Sequence, residues 1–348
     1  MEREAELIAW LRAARTVAIG YSGGVDSVYL AAVAIEALGP NRVIGVTGRS
    51  ASYPAAQWQA ARDSAAAIGL DVVELDTNEL ADPDYAANPS NRCYFCKTEL
   101  WSLVVPAAQA RGITTVVDGT NADDLKGHRP GAAAALEHGV RSPLAELGFT
   151  KNEIRAFSRA RGLPTSDQPS SPCLSSRIPF GVAVTSERLA RIEDAEAGLR
   201  AAGVTGDLRV RHHGTLARLE LGEEELSSWL DSDDLGPLRA AVLCAGYQRA
   251  CVDLRGFTSG SLSGRARARQ ADSPNASALR DGLCETDPRW RIEVAGEIAL
   301  LAGDAAAVLS NAATRRRIAD LARQHGFAFA AMELTAASTP SHAALPRD

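Results

Sequence analysis

Thr16-Val17-Ala18-Ile19-Gly20-Tyr21-Ser22-Gly23-Gly24-Val25-Asp26-Ser27 is the stretch whose reading decides the fold. An apolar, β-rich run ends in a Gly-Gly turn, and a helix is predicted from Asp26 to Leu38. The two glycines let the backbone approach a phosphate without a Cβ clash. Successive N–H groups in such a turn form an anion nest, and the helix start adds partial positive charge. Ser22 and Ser27 supply hydroxyl donors, and Val25 lies between them in the loop. Asp26 would be repelled by bare phosphate, so it reads better as a Mg²⁺ ligand beside it. No Gly-Lys-Ser/Thr follows, so this is not a Walker A loop. The plain alternative is an ordinary tight turn with a helix cap.

Outward from this loop the chain alternates. Strands are predicted at 42–47, 71–75 and 114–118, and helices at 55–68, 93–112 and 151–161. That rhythm predicts an α/β domain, a doubly wound parallel sheet with helices on both faces. Ligands in such folds bind at the carboxyl ends of the strands. Ser22–Ser27 falls there, and so does Asp118-Gly119-Thr120-Asn121-Ala122-Asp123-Asp124, followed by Arg129-Pro130-Gly131. Asn121, Asp123, Asp124 and Arg129 are therefore candidates for contacts to a ribose, an adenine edge or Mg²⁺, against the alternative of an Asx-rich turn. Val46 and Ser50, after the second strand, are candidate adenine neighbours by topology.

A Pro-rich stretch, 164–180, cannot be a helix and reads as a functional loop at a domain boundary. Beyond it a helix (185–202), a hairpin (208–213 and 216–221), two short helices and a strand (249–254) form a small α+β domain. The expected division is 1–180, 181–264, a flexible Gly/Ser/Arg-rich linker at 265–288, and an extension at 289–348. The extension reads as an imperfect, degenerate repeat of 208–254. Leu208-Arg209-Val210-Arg211 and Gly214 are echoed by Trp290-Arg291-Ile292-Glu293 and Gly296, and Gly246-Tyr247 by Gly326-Phe327. In this reading Arg291 is set against Arg211, and the second copy has lost the first copy's charges. Chance matching of Ala-rich sequence is the alternative.

A net charge of −6 over 348 residues argues against a nucleic-acid binder, whose phosphate contacts call for a basic surface. The charged start, Met1-Glu2-Arg3-Glu4, is followed by no apolar targeting core, and no run spans a bilayer. The expectation is a cytoplasmic protein with no membrane or nucleic-acid partner. A homo-oligomer is compatible with the sequence. In a reducing compartment the six cysteines are not expected in disulfides. Cys93 and Cys96, at i and i+3, share a face at the start of a predicted helix, where the dipole favours thiolate. Cys173 lies in the Pro-rich loop, four residues before Arg177, which could stabilise a thiolate or an adenylated intermediate. Three readings stay open. The thiols could be buried and inert, they could hold zinc with a fourth ligand such as His128, or Cys93, Cys96 and Cys173 could hold a [4Fe–4S] cluster with one open iron. Cys244, Cys251 and Cys284 read as structural.

Arg209 and Arg211 alternate on a strand, so both point to one face. Paired guanidiniums suit a phosphate, and Glu220 on the partner strand could orient one of them. The alternative is a solvated face with an ordinary Arg–Glu pair. His212 and His213 read as hairpin residues.

Ser22–Ser27 resembles the loop of the PP-loop ATP pyrophosphatases (adenine nucleotide alpha hydrolase-like). That resemblance implies cleavage of ATP to AMP and pyrophosphate, with AMP transferred to a substrate oxygen. Asn91-Arg92-Cys93-Tyr94-Phe95-Cys96-Lys97, the Asp118–Asp124 segment, Arg129-Pro130-Gly131, Pro172-Cys173-Leu174-Ser175-Ser176-Arg177-Ile178-Pro179 and Arg209-Val210-Arg211-His212-His213 together resemble the LarE family of sulfur transferases. The resemblance runs from about Leu7 to Gly260, and the tail beyond Gly264 departs from the family length. It implies ATP and Mg²⁺ as cofactors and adenylation of a carboxylate of pyridinium-3,5-biscarboxylic acid mononucleotide, a small-molecule nucleotide substrate. Conversion to a thiocarboxylate follows, in nickel-pincer nucleotide biosynthesis. It implies Cys173 as the sulfur-bearing residue, and Arg209 and Arg211 at the substrate phosphate. Members with all three cysteines hold a [4Fe–4S] cluster, and this chain is expected to be of that type. In the single-cysteine type the matching cysteine gives up its own sulfur. A tRNA-thiolating relative and a non-catalytic nucleotide-binding protein are the competing functions.

Overall fold

The structure, a computed structural model, describes residues 2–126, 130–169, 172–232, 234–258, 274–284, 290–302 and 309–335. The chain forms two compact units, Met1–Ser176 with Phe180–Ser186, and Arg177–Pro179 with Glu187–Asp348.

The first unit is a parallel α/β layer. Four strands, β1 (Val17–Gly20), β2 (Val43–Arg49), β3 (Asp71–Asp76) and β4 (Thr115–Asp118), lie in the order β3-β2-β1-β4, all parallel. The run Val17-Ala18-Ile19 is buried on both faces, as a central parallel strand must be. Around the sheet run α1 (Glu2–Ala14), α2 (Val25–Leu38), α3 (Ala55–Ile68), α4 (Pro83–Ala86), α5 (Arg92–Gln109), α6 (Pro130–Glu137), α7 (Pro143–Glu146) and α8 (Lys151–Ala160). Two cores result, as helices on both faces require. One packs Leu7, Leu11, Tyr29, Leu30 and Phe149 against Val17 and Ile19. The other packs Trp101 and Val104 of α5 against Ala18, Val46 and Val116. The helix α8 starts at a reciprocal capping box of Thr150 and Glu153. The sequence reading missed α1 and α6; Arg129, the candidate just before α6, lies outside the described residues.

The second unit holds α9 (Ser186–Ala201, all but its first residue), β5 (Leu208–His213), β6 (Leu216–Leu221), α10 (Glu223–Asp231), α11 (Gly236–Cys244) and β7 (Arg249–Asp253). It continues with α12 (Ala276–Cys284), β8 (Arg291–Ala295), β9 (Ile298–Ala302), α13 (Ala312–Gln324) and β10 (Phe329–Glu333). Its six strands run β5-β6-β7-β10-β9-β8. The residues set apart above as an extension are therefore half of one sheet, not a separate module. Within the stretch expected as linker, residues 276–284 are helix, and 265–273 and 285–288 lie outside the described residues.

Among the described residues the order is hairpin, helix and strand twice over, β5-β6-α10-α11-β7 and then β8-β9-α13-β10. In each copy a hairpin is followed by a parallel pairing, β6 with β7 and β9 with β10. Small hydrogen-bond details repeat as well. Gln248 and Arg249 both donate to Thr215 O (2.9 and 3.2 Å), as Ala328 and Phe329 do to Glu297 O (2.9 and 3.3 Å). Where the copies meet, β7 and β10 run antiparallel, and Leu254 N–H donates to Ala330 O as Leu334 N–H does to Ala250 O. Superposing the copies by register puts Arg291 at the place of Arg209 and Glu293 at the place of Arg211. The match of Arg291 to Arg211 is thus corrected by two residues, the hairpin turns Gly214 and Gly296 (φ 68° and 63°) fixing the frame.

Arg315 of α13 ties the copies together. It is fully buried, with Nη1 donating to Leu309 O and Ser310 O (2.7 and 2.8 Å). Its Nη2 donates to Glu223 Oε1 (2.8 Å) and Ser227 Oγ (3.1 Å) on α10 of the first copy. Replacing it by Met keeps the aliphatic stem but leaves buried carbonyls unpaired. Arg315→Met is expected to destabilise the fold by about 2 kcal/mol, read as a lower urea midpoint with unchanged slope.

Candidate active site

In the first unit the Ser22–Ser27 loop leads from the carboxyl end of β1 into α2. Gly23 has φ 68°, and a Cβ there would stand 2.4 Å from Ala61 Cβ on α3. Glycine is thus required twice over, by conformation and by space. Gly24 N-caps α2 and no side chain caps its first turn, so the helix start offers its N–H groups to a ligand. The serines brace the loop from inside, Ser27 Oγ donating to Gly24 O (3.0 Å) and lying 3.3 Å from Ser22 Oγ.

Asp26, in the first turn of α2, is where three segments meet. Lys151 Nζ on α8 lies 2.5 Å from its Oδ2, and Asn121 Nδ2 donates to Oδ1 (3.2 Å). A Cβ on Gly119 would come within 3.0 Å of Ser27 N, so the segment after β4 packs its backbone directly on the loop. Within that segment, Asn121 Oδ1 accepts from the N–H groups of Asp123 and Asp124 (3.0 and 3.2 Å). Asp123 accepts Lys151 N–H (2.8 Å) and pairs with Lys126, which hold its carboxyl below the usual range. Asp124 accepts Asn121 N–H (3.3 Å). Asp123 thus caps α8 and Asp124 closes the turn, so of this group Asn121 is the one that reaches Asp26. Val46, expected beside adenine, has its side chain in the α5-side core, while its carbonyl accepts Tyr21 N–H (2.9 Å). Ser50 Oγ lies 2.9 Å from Ser52 Oγ.

The cysteines occupy the same unit. Cys93, Cys96 and Cys173 are reduced thiols. Arg92, which opens α5, is buried and donates through Nη1 to Ser175 O (2.9 Å) and Asn88 Oδ1 (2.5 Å). Tyr85 OH pairs with Ser175 Oγ (2.7 Å), and Leu174 N–H donates to Ser52 O (2.9 Å). Ser52 Oγ and Thr77 Oγ1 in turn donate to the buried carboxylate of Glu79 (2.7 and 2.9 Å). The loop carrying Cys173 is therefore clamped, residue by residue, to the start of the helix carrying Cys93 and Cys96. Burial, helped by the charges of Glu79, Cys173 and Cys93, pushes the Cys96 thiol up to about 12. This corrects the expectation of a dipole-favoured thiolate there, because desolvation outweighs the helix dipole. The same interactions put Cys96 within electrostatic reach of the other two. Among the described residues no group of three His, Cys, Asp or Glu side chains converges on one metal position, and His128 lies outside them.

In the second unit, Arg177 is 2% exposed and forks onto Glu196 of α9, Nε to Oε1 (2.9 Å) and Nη2 to Oε2 (3.1 Å). Within this unit Glu196 thus holds Arg177, the arginine expected to serve Cys173, next to Arg209. Arg211 Nε and Nη2 both donate to Glu220 Oε2 (2.9 and 2.7 Å). Arg209 lies over Phe257, and burial together with neighbouring Arg177 pulls its pKa down to about 10. Crowded, desolvated guanidiniums of this kind favour a bound anion. The strand face is buried, not the solvated one of the plain reading. Burial pulls His212 down to about 4, and it pairs with Tyr247 OH (3.2 Å), a packing role.

The NAD synthase family model matches residues 9–88. An uncharacterized protein of Synechocystis is 45% identical over 245 residues, 70% of this chain and 91% of its own. The pyridinium-3,5-bisthiocarboxylic acid mononucleotide synthase of Lactiplantibacillus plantarum is 30% identical over 261 residues, 75% of this chain and 94% of its own. The chain belongs to the LarE family of PP-loop proteins. An argininosuccinate synthase of Halobacterium salinarum is also similar, 30% identical over 159 residues, 43% of this chain and 40% of its own. LarE-family membership makes this an ATP-binding PP-loop enzyme. Among the described residues no helix is long and apolar enough to cross a membrane.

Lys151 is the functional candidate the sequence reading of this LarE-family chain missed. Its signal was a cation at the first position of a helix, where the dipole disfavours it unless an anion compensates. Here Asp26 compensates, and an ATP phosphate would do so once Asp26 takes up Mg²⁺. Lys151→Met is expected to lower ATP–pyrophosphate exchange about a hundredfold, with unchanged thermal stability, and Lys151→Arg to restore part of it.

Proposed function

We propose that this enzyme adenylates a carboxylate of pyridinium-3,5-biscarboxylic acid mononucleotide and replaces the activated oxygen with sulfur, giving a thiocarboxylate for nickel-pincer nucleotide synthesis. The observation that carries this reading is the clamp of Arg92, Tyr85 and Ser52 on the Cys173 loop, which holds three thiols in the unit that bears the PP-loop.

A carboxylate is a poor electrophile, and adenylation gives it a leaving group. The carboxylate oxygen attacks the α-phosphorus of ATP, and the bond to pyrophosphate breaks. The Gly23–Gly24 backbone, the start of α2, Ser22 and Lys151 bind the departing pyrophosphate. Mg²⁺ is normally held by one or two carboxylates plus substrate phosphates, and Asp26, with Asn121 steering its other oxygen, fits that demand. Ser50 lies after β2 on the nucleotide side. Sulfur then adds to the acyl carbon and AMP leaves. Arg209 and Arg211, with Glu220 orienting the latter, bind the phosphate of the substrate mononucleotide, and Arg177 belongs to the same group.

The donor set suits a [4Fe–4S] cluster, since three thiolates that bind three different irons need not converge on one point. Such a cluster, held by Cys93, Cys96 and Cys173, would supply sulfur without consuming the polypeptide. The buried Cys96 thiol must lose its proton on ligation. In the other route Cys173 attacks the acyl adenylate, AMP leaves, and loss of the α-proton with C–S cleavage releases the thiocarboxylate and leaves dehydroalanine.

Protein purified without oxygen is expected to hold about four iron and four sulfide per chain, to keep its polypeptide mass after one turnover, and to lose thiocarboxylate formation in Cys173→Ala. Absence of iron with loss of hydrogen sulfide mass from the Cys173 peptide would assign the sacrificial route. Thiocarboxylate formation that survives Cys173→Ala would sink the reading altogether.

A further inference from the structure

The C-terminal copy in the second unit has no role in the reading so far, and about three tenths of this chain lies outside the match to the Synechocystis relative. Its strands nevertheless share one sheet face with the arginines. Register places Arg209, Arg211, Arg218, Glu220, Cys251 and Asp253 on that face, and across the copy boundary Phe329, Ala331 and Glu333. Helices α11 and α13 pack against β7 and β10.

Arg218 is central on this face. It stands directly opposite Arg211 in the β5–β6 register, so two buried guanidiniums face each other. Glu220 separates them, giving Oε2 to Arg211 (2.7 Å) and Oε1 to Arg218 Nη1 (2.9 Å). Arg218 Nη1 also meets Asp253. Its Nη2 is buried with no hydrogen-bond partner among the described residues. What holds the plane of the guanidinium is the ring of Phe329, whose centroid lies 3.4 Å from Arg218 Cζ. His213 stands edge-on to that ring (5.9 Å) and lies 3.4 Å from Arg218 Nε. Arg249, on the same strand as Asp253, pairs with the second copy at Glu293 (2.6 Å) and Glu333 (2.7 Å).

From this we infer that the C-terminal copy completes the substrate-phosphate site, with Phe329 as a positioning residue that acts through Arg218 and Glu220 on Arg211. The inference rests on the reading of Arg209 and Arg211 as the phosphate grip. Phe329 fixes the plane of Arg218, the plane of Arg218 fixes one oxygen of Glu220, and the other oxygen aims the Arg211 fork. An Arg fork binds phosphate bidentately only when its plane is set. The second half, with Leu300 and Ala302 at the places of Arg218 and Glu220, supports the first half's arginines.

The test uses the full chain and calorimetry with nicotinic acid mononucleotide, a pyridinium carboxylate bearing one phosphate, and its phosphate-free riboside. Phe329→Leu, which keeps an apolar side chain but removes the π face, is expected to weaken mononucleotide binding roughly fivefold to tenfold and to leave riboside binding unchanged. Phe329→Tyr is expected to bind as the parent does. On an Arg218→Met background Phe329→Leu should add no further loss, a coupling that a general packing defect would not produce. Mononucleotide binding that is normal in Phe329→Leu but weakened in Arg211→Ala overturns this inference and leaves the phosphate reading standing. Normal binding in Arg211→Ala overturns both.

Discussion

The carboxylate of Asp26 is the constraint around which the first unit is organised. It sits in the first turn of a helix whose start no side chain caps. Lysine from one distant segment and asparagine from another close on its two oxygens. Those partners can meet only because parallel crossovers bring the carboxyl ends of β1 and β4 side by side. Gly23 and Gly119 permit the approach, since a Cβ at either would collide with neighbouring backbone. An anion nest with a carboxylate at its rim is suited to a polyphosphate carrying its own divalent cation, and poorly suited to a bare anion.

Around the cysteines the physical logic is different. Desolvation, not the helix dipole, dominates at Cys96 and pushes its thiol up. The Cys173 loop is held by three hydrogen bonds: Arg92 donates to Ser175 O, Tyr85 OH pairs with Ser175 Oγ, and Leu174 N–H donates to Ser52 O. Because Arg92 directly precedes Cys93, its buried side chain links one thiol segment to the other.

The second unit builds one sheet from two similar halves. Both copies keep the backbone pattern, down to paired N–H groups sharing one carbonyl. The buried pair Arg218–Glu220 belongs to the first copy, and Leu300 and Ala302 stand at the matching places of the second. A strand edge left unpaired is a liability, and pairing β7 with β10 removes it.

The sequence alone was enough for the α/β class and for several of its elements. Gly-Gly between a β-rich run and a helix is a local signal, and strands β5 and β6 and helix α3 fall within the residues predicted for them. Resemblance to the LarE family was also legible, because it rests on ordered short motifs. Lys151 and Glu79 were not legible, since nothing in their neighbourhood records that they approach Asp26 or Ser52 across more than twenty residues of chain. The fork of Arg177 onto Glu196 was not legible for the same reason, since the two lie nineteen residues apart. Register likewise fixed which arginine matched which in the repeat, and which residues share the face of Arg218. Local sequence carries propensity and turn chemistry; pairings between distant segments are set by packing, and only the folded chain contains them.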